Sequence, residues 1–530
     1  MNLPINKYAW ALAALAAALA FSLPLLFLLA AGGSHLPFAN ESLAYRYFAN
    51  VRILDGQGAA VWTPQGQLVT VIQHLIVIGM RLTTAGDLKT MLQLYGIWTN
   101  AVVSLLMLGV YFAACFDDDL IWSDKALVLV LGPATIFGTV NAGFYYSILP
   151  DYYAVSLLIV SASVYLALKF LRSSRPHRMR DLMVAGALCG LAASNKVTLL
   201  GPAGIFALLA ITKQPISPRA FFTRTVVAAA VCIGIFAFVF LAMYEFQLRD
   251  VVSALRNWQR FFQTAGAEPG FWEGNFWMFQ HLYNYDKVFW LWVVATLFLT
   301  IEVTQVKAWD AGIVLAANVC VATLLGIGLY KRGAGTTFFE AAMILAGLAA
   351  LALAVALGLR QRPKWVNAIP AGILLLSLTQ FDFAHNWFVV SKSRALAQNA
   401  WEIRDYTLRF GKPVVIVISD HTYSSGGVED LLNVGLRDFS TNRFDTAAAM
   451  KDRLAPNTEF RNQPGDIQAG TTVVWFEKWD VKSDKPLAAT NPEEAKKWES
   501  VKRMAEINEC RSWRMGYSDQ ILARVCSVER

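Results

Sequence analysis

Apolar residues run almost unbroken from Tyr8 to Ala30, and runs of similar kind recur through the first two thirds of the chain. Polar and charged positions gather in the short breaks between them. Stretches of roughly 18 or more apolar residues are long enough to cross a bilayer core as helices. The pattern predicts spans over residues 8–30, 91–115, 125–143, 152–171, 182–195, 198–212, 225–246, 288–306, 310–329, 337–358 and 365–381. That makes about eleven transmembrane helices, with ends uncertain by ~2–4 residues. The first run lacks a small-residue cleavage site and reads as a retained span, not a cleaved signal peptide.

One apolar segment, 67–82, is short and carries Gln67, Gln73, His74 and Arg81. It reads as an interfacial helix within a first outer loop of residues 31–90, lying on the outer face and not crossing it. The loops Arg172–Arg180, Thr212–Arg224 and Leu359–Lys364 are basic and belong on the cytoplasmic side. This parity puts the N-terminus in the cytoplasm. It puts segments 31–90, 144–151, 247–287 and 330–336, and the C-terminal tail, outside.

From about Asp382 the pattern changes, which divides the chain into a membrane domain over residues 1–381 and a tail domain over residues 382–530. Pro413–Asp420 and Thr472–Phe476 read as strands, and Asn491-Pro492-Glu493-Glu494 as a capped helix start. The fold class is therefore a multi-span α-helical membrane protein with a C-terminal extracytoplasmic α/β domain.

Composition sharpens this picture. The 530 residues are 56% hydrophobic and only 16% charged, with a mean hydropathy of +0.43. The net charge of +8 resides in short loops and not in a basic stripe, so no nucleic-acid partner is expected. The six cysteines make no zinc pattern. Cys510 and Cys526 flank a predicted hairpin of strands Ser512–Tyr517 and Gln520–Cys526 with Ser518-Asp519 as its turn. That register sets Arg511 opposite Cys526 and Cys510 opposite Ser527. The offset of one residue still permits a disulfide, which an oxidising outer compartment favours.

The residues able to carry chemistry lie near the predicted outer face. Asn40, Glu41 and Tyr45 follow the first span, and Asp151 follows Pro150 at the start of another. A carboxylate there can act as general base or hold a metal against a phosphate. Either acid can also serve as a helix cap. Lys196 sits between two short spans, suited to a phosphate or a carboxylate, or to snorkelling from a helix end. His281 follows an aromatic-rich outer loop whose rings suit interfacial anchoring. Lys331 and Arg332 form an outer basic pair able to bind a phosphate or a lipid headgroup, and Glu340 lies about two turns beyond.

These pieces, in this order, resemble the C-type (GT-C) membrane glycosyltransferases. The resemblance is to the bacterial family related to protein mannosyltransferases and the lipid A aminoarabinose transferase. Its members carry an Asp-Glu pair in the first outer loop, a Pro-Asp in the second and a Gly-Leu-x-x-x-x-Lys segment after it. Here those positions resemble Asn40-Glu41, Pro150-Asp151 and Gly190–Lys196, with Gly56 and Pro64 ahead of the interfacial helix and Arg332 as the later basic residue. The likeness covers roughly residues 1–360 and rests on the ordered set of motifs.

The resemblance implies a sugar donor linked to polyprenyl phosphate and an extracytoplasmic acceptor that is a lipid, polysaccharide or protein. It implies single-step transfer with inversion, in the bacterial inner membrane. Glu41 and Asp151 would be catalytic; Asn40, Tyr45, Lys196, His281, Lys331, Arg332 and Glu340 would bind substrate. A divalent cation such as Mg or Mn is left open as cofactor, and no residues are assigned to a metal. Asn40 departs from the family pattern: an amide cannot act as base, so Glu41 takes that role or the chain is an inactive homologue. Rival readings are a transporter or flippase of lipid-linked sugars and a glycan polymerase or ligase. The first calls for charges deep in the bundle and an internal repeat. The second calls for a large late outer loop.

Overall fold

The computed structural model describes residues 7–31, 66–83, 88–139, 152–173, 179–213, 217–244, 246–248, 251–252, 255–256, 287–328, 334–359, 366, 368–411, 413–417, 458–461, 467–480, 482, 485–486, 499, 503, 510–515 and 521–529. Two compact units emerge. One comprises Met1–Phe27, Pro64–Ile72 and Trp98–Asn386; the other comprises Leu28–Thr63, Gln73–Ile97 and Trp387–Arg530.

The helices follow the apolar runs. They are α1 (Lys7–Phe21), α2 (Leu23–Ala30), α3 (Gln67–Thr83), α4 (Leu88–Cys115), α5 (Trp122–Gly138), α6 (Tyr152–Arg172) and α7 (Met179–Asn195). A single 3-10 turn, Val197–Leu199, leads into α8 (Leu200–Thr212). Then come α9 (Pro218–Met243), α10 (Lys287–Val306), α11 (Trp309–Gly328), α12 (Ala334–Gly358), α13 (Ile369–Leu378) and α14 (Phe383–Arg409). Among the described residues, five helices are long and apolar enough to cross a membrane, or up to seven if each bent pair counts as one span. The chain is thus mostly helical and a multi-pass membrane protein. Leu105, Ile233 and Val294 turn outward from their helices, as lipid-facing residues do.

The first run differs from its expected unbroken helix. It bends by 56° between α1 and α2. Ser22 sits at the break and its hydroxyl donates to the Ala18 carbonyl at 2.8 Å. Pro24, two residues on and the second of α2, brings no N–H to continue the helical ladder. Segment α3 also has its own logic. Gln67, Thr70, Gln73 and His74 are buried, while Leu75 and Ile78 are exposed. Val69 and Val77 are buried with these polar residues, so the protein covers a mixed polar and apolar face while Leu75 and Ile78 point away from it.

Within the first unit, contacts sort the helix ends into two sets. Arg172, at the end of α6, grips Asp124 in the first turn of α5 through Nε at 2.7 Å and Nη2 at 3.0 Å. The same Nη2 donates to Ala354 near the end of α12 at 2.8 Å. Asp124 is fully buried, so this bidentate pair keeps its charge compensated. Nearby, Lys169 pairs with Asp117 at 2.7 Å and the Tyr165 hydroxyl donates to Asp117 at 2.9 Å. Burial alone would raise the Asp117 pKa; the Lys169, Tyr165 and Asp119 hydrogen bonds outweigh it and hold the carboxyl below its ordinary range. Lys213 donates to the Phe170 and Ser173 carbonyls at 2.9 and 3.2 Å, capping the end of α6. Lys169, Arg172 and Lys213 are thus each folded onto a helix end or a carboxylate.

The opposite ends of these helices meet elsewhere. A Cβ on Gly138, at the end of α5, would touch Ser377 of α13 and Val288 of α10. Glu340 of α12 pairs with Lys196, just past α7, and Lys196 contacts Tyr152, the first residue of α6. Helices α6 and α12 therefore run parallel, and α5 and α7 run against them. The close packing of α7 on α9 needs glycine. A Cβ on Gly186 would lie 2.5 Å from the Ala228 carbonyl, and one on Gly190 2.7 Å from that of Cys232.

The second unit holds a sheet beside α14. Its strands are β1 (Val414–Val417), β2 (Thr458–Arg461), β3 (Thr472–Asp480), β4 (Lys485–Pro486), β5 (Cys510–Met515) and β6 (Ile521–Ser527). The order is β2-β1-β3-β6-β5, with β4 on the end of β3. Strands β2, β1 and β3 are parallel; β6 opposes β3 and β5 opposes β6. Val415, Val473, Trp475, Cys526 and Val528 form the core of one face. On the other side Trp513 donates to Glu402 of α14 at 3.2 Å and lies 5.5 Å from the Tyr406 ring.

Candidate functional site

The site grows from the break between α7 and α8. Helix α7 ends at Asn195, the backbone extends at Lys196, and the 3-10 turn follows. This places a lysine where no regular helix would hold it. Its ammonium donates to the Tyr152 hydroxyl at 2.9 Å and lies 4.6 Å from the centre of that ring. It also pairs with the Glu340 carboxylate, whose other oxygen accepts from the Thr198 hydroxyl. Glu340 is 1% exposed, so a bare carboxylate there would be costly; Lys196 and Thr198 together compensate it. The Tyr152 hydroxyl in turn donates to that of Tyr153 at 3.0 Å, and Tyr153 packs 5.8 Å from the Phe339 ring.

Asn195 is fully buried beside this cluster. Its Nδ2 donates to the Tyr152 carbonyl at 3.1 Å and to the Ser156 hydroxyl at 2.9 Å. The Ser156 hydroxyl itself donates to the Tyr152 carbonyl at 2.7 Å. The Asn195 main-chain carbonyl accepts the Gly66 N–H at 2.7 Å. Gly66 has φ +78, a left-handed conformation suited to glycine, and leads directly into α3.

Of the residues singled out in the sequence, the structure brings Lys196 and Glu340 together in one ion pair. Asn40, Glu41, Tyr45, Asp151, His281, Lys331 and Arg332 lie outside the described residues, though Asp151 is the chain neighbour of Tyr152. Sequence reasoning missed Tyr152, Thr198 and Asn195 as members of the cluster. A signal existed for Asn195: an amide at the end of a run of small apolar residues must find partners when buried. Among the described residues no three His, Cys, Asp or Glu side chains gather as a metal site.

Cys510 and Cys526 form a disulfide with Cα atoms 4.2 Å apart. The hairpin register differs from the expected one. Cys510 faces Cys526 directly and Arg511 faces Val525, and Met515 pairs with Ile521, so residues 516–520 connect the strands in place of a two-residue turn. The sheet dictates this. Cys526 pairs with Val473 on β3 and faces the core, and Cys510 packs against the same core. A slip by one residue would turn the cysteines to opposite faces.

No protein-family model and no curated protein sequence matches the chain. Solved structures do. ArnT from Cupriavidus metallidurans bound to undecaprenyl phosphate is similar at a TM-score of 0.50 and 11% identity, over 98% of each chain. The oligosaccharyltransferase of Archaeoglobus fulgidus tethered with an acceptor peptide is similar at a TM-score of 0.48 and 14% identity. There the match covers 81% of this chain and 63% of that one, so the chain spans less than two thirds of the oligosaccharyltransferase's length. With nearly full-length coverage of the ArnT structure, the chain shares its fold, that of the C-type membrane glycosyltransferases.

Proposed function

We propose that the chain moves one sugar from a polyprenyl-phosphate carrier to an extracytoplasmic acceptor hydroxyl or amine. The observation that carries this reading is the Lys196–Glu340–Tyr152 cluster at one end of the bundle, in a chain with the fold of ArnT. An ammonium has three N–H donors. Among the described residues one goes to Tyr152 and one to Glu340, which leaves a third for a phosphate oxygen, and the Lys196 side chain retains 18% exposure. The ArnT structure of similar fold holds undecaprenyl phosphate, which supports a lipid phosphate as donor.

In this reading Glu41 accepts the proton of the acceptor group. The acceptor oxygen or nitrogen bonds to the anomeric carbon as the bond from that carbon to the phosphate oxygen breaks. The lipid phosphate leaves with both electrons, its charge met by Lys196, Lys331 and Arg332, and the anomeric centre inverts. Asp151, joined to Tyr152, orients the reacting groups, and Asn40, Tyr45, His281 and Glu340 complete the substrate pocket. About eleven spans carry this site to the outer face of a bacterial inner membrane, with the N-terminus in the cytoplasm and the tail domain outside.

The test is transfer by purified protein in liposomes, from a radiolabelled polyprenyl-phosphate sugar to extracted envelope glycolipid. Glu41→Gln and Asp151→Asn should each lower the rate by ~10²–10⁴-fold with folding intact. Transfer from a nucleotide sugar without lipid, or full rate in Glu41→Gln, would overturn the reading.

A further inference from the structure

Asn195 touches the chain at two places that are far apart in sequence. Gly66 directly precedes α3, and Tyr152 is the first residue of α6. Both are hydrogen-bonded to Asn195, one through its main-chain carbonyl and one through its side-chain amide. The orientation of the amide is determined by chemistry: the Tyr152 carbonyl can only accept, so it faces Nδ2. Ser156 reinforces the same arrangement, since its hydroxyl takes the second Nδ2 hydrogen and gives its own proton to the Tyr152 carbonyl. Full burial removes water as a competitor for these bonds. The next residue, Lys196, holds the Tyr152 side chain while Asn195 holds its backbone.

We propose that Asn195 is a positioning residue: its side chain fixes the start of α6 at Tyr152 and thereby steadies the main-chain carbonyl that holds Gly66, so that α3 and α6 begin at a set distance from Lys196. This rests on the reading above only for its consequence in catalysis; the anchoring itself is a matter of geometry. A carboxylate at this position would keep the shape and lose both donated hydrogen bonds, placing an anion against the Tyr152 carbonyl. Alanine would lose the two side-chain bonds, keep the main-chain bond to Gly66 and leave space. Because a misplacement of about 1 Å can cost ~10²-fold in rate, either change should act on turnover more than on donor binding.

The experiment compares Asn195→Ala and Asn195→Asp with the unaltered protein in detergent, by amide hydrogen exchange and by steady-state transfer per folded molecule. Exchange at residues 152–158 should quicken by about tenfold or more and at residues 66–70 by less, since the Gly66 N–H keeps its main-chain acceptor, with residues 182–190 unchanged, and kcat should fall ~10–10²-fold while the donor KM stays within about threefold. Unchanged exchange at residues 152–158 would overturn the anchoring. Quickened exchange with kcat unchanged would overturn the positioning role, and so would a uniform rise in exchange that includes residues 182–190. If Glu41→Gln and Asp151→Asn keep full transfer while Asn195→Ala loosens residues 152–158 and slows turnover, the positioning role stands and the acid assignment falls.

Discussion

The Lys196 ammonium reaches from the break after one helix to the Glu340 carboxylate of another, 144 residues later, and Glu340 is almost wholly buried. Removing one partner of such a pair strands the other charge. Glu340→Gln should destabilise the protein by about 3 kcal/mol, the lower end of the range for a broken buried pair, because Lys196 keeps some contact with solvent. Pairing it with Lys196→Met should recover part of that loss. Thermal unfolding of the four proteins of the double-mutant cycle checks it; strictly additive effects would mean the two side chains do not act together.

A second pair lies at the far end of the same bundle. Arg172 grips the fully buried Asp124 with two nitrogens and reaches the Ala354 carbonyl with one of them. Asp124→Asn should cost about 3–5 kcal/mol by leaving the guanidinium uncompensated. Arg172→Lys should also be costly, because an ammonium cannot reproduce the planar fork. Gly358→Ala should disturb the same contact, since its Cβ would collide with the Arg172 guanidinium. Folded yield and melting temperature in detergent measure all three. Wild-type stability in Asp124→Asn would show that the clamp contributes nothing.

These two pairs mark what the sequence could and could not reveal. The helices were legible because an apolar run has to be a helix in lipid: the run expected at 152–171 is α6 at Tyr152–Arg172. Lys196 was legible because a charge among apolar residues needs a reason. Its partnership with Glu340 was not, since nothing periodic links residues so distant in the chain. Arg172 was read as one of several loop cations, yet it turns inward to a carboxylate that the sequence left unremarked. Asn195 escaped notice because its role depends on two segments converging, a property of packing alone. The hairpin was visible in its alternation but not its register, which the neighbouring strand β3 decides.

The orientation of the bundle is open to a direct check. Asp117, Asp124, Arg172 and Lys213 share one end, where basic residues concentrate, and basic short loops favour the cytoplasm. Reporter fusions after Asp117 should therefore report a cytoplasmic position, and fusions after Asp405 an extracytoplasmic one. A cytoplasmic signal at Asp405 would reverse the placement of the tail domain and remove the oxidising setting from its disulfide.

That disulfide supplies the last prediction. Cys510 and Cys526 sit opposite each other on β5 and β6, and Cys526 is fully buried in the core with Val473, Trp475 and Val528. The bridge closes a loop of about fifteen residues, which in the chain-entropy model stabilises the domain by ~3 kcal/mol. It also ties down the edge strand, whose opposite face carries Trp513 against Tyr406 and Glu402. Cys510→Ala should therefore lower the stability of the tail domain and loosen the hydrogen bond from Asn399 to the Arg514 carbonyl, which holds α14 to that strand. Cys526→Ala should cost more, since it also leaves a cavity in the core. Amide exchange across residues 510–515 reads the loosening, and mass spectrometry of thiol-labelled protein, denatured without reductant straight from its native membrane, reads the bridge. Label on both cysteines would show that the pair is reduced in the cell, and the strand would then be held by its ladder to β6 and its packing on α14.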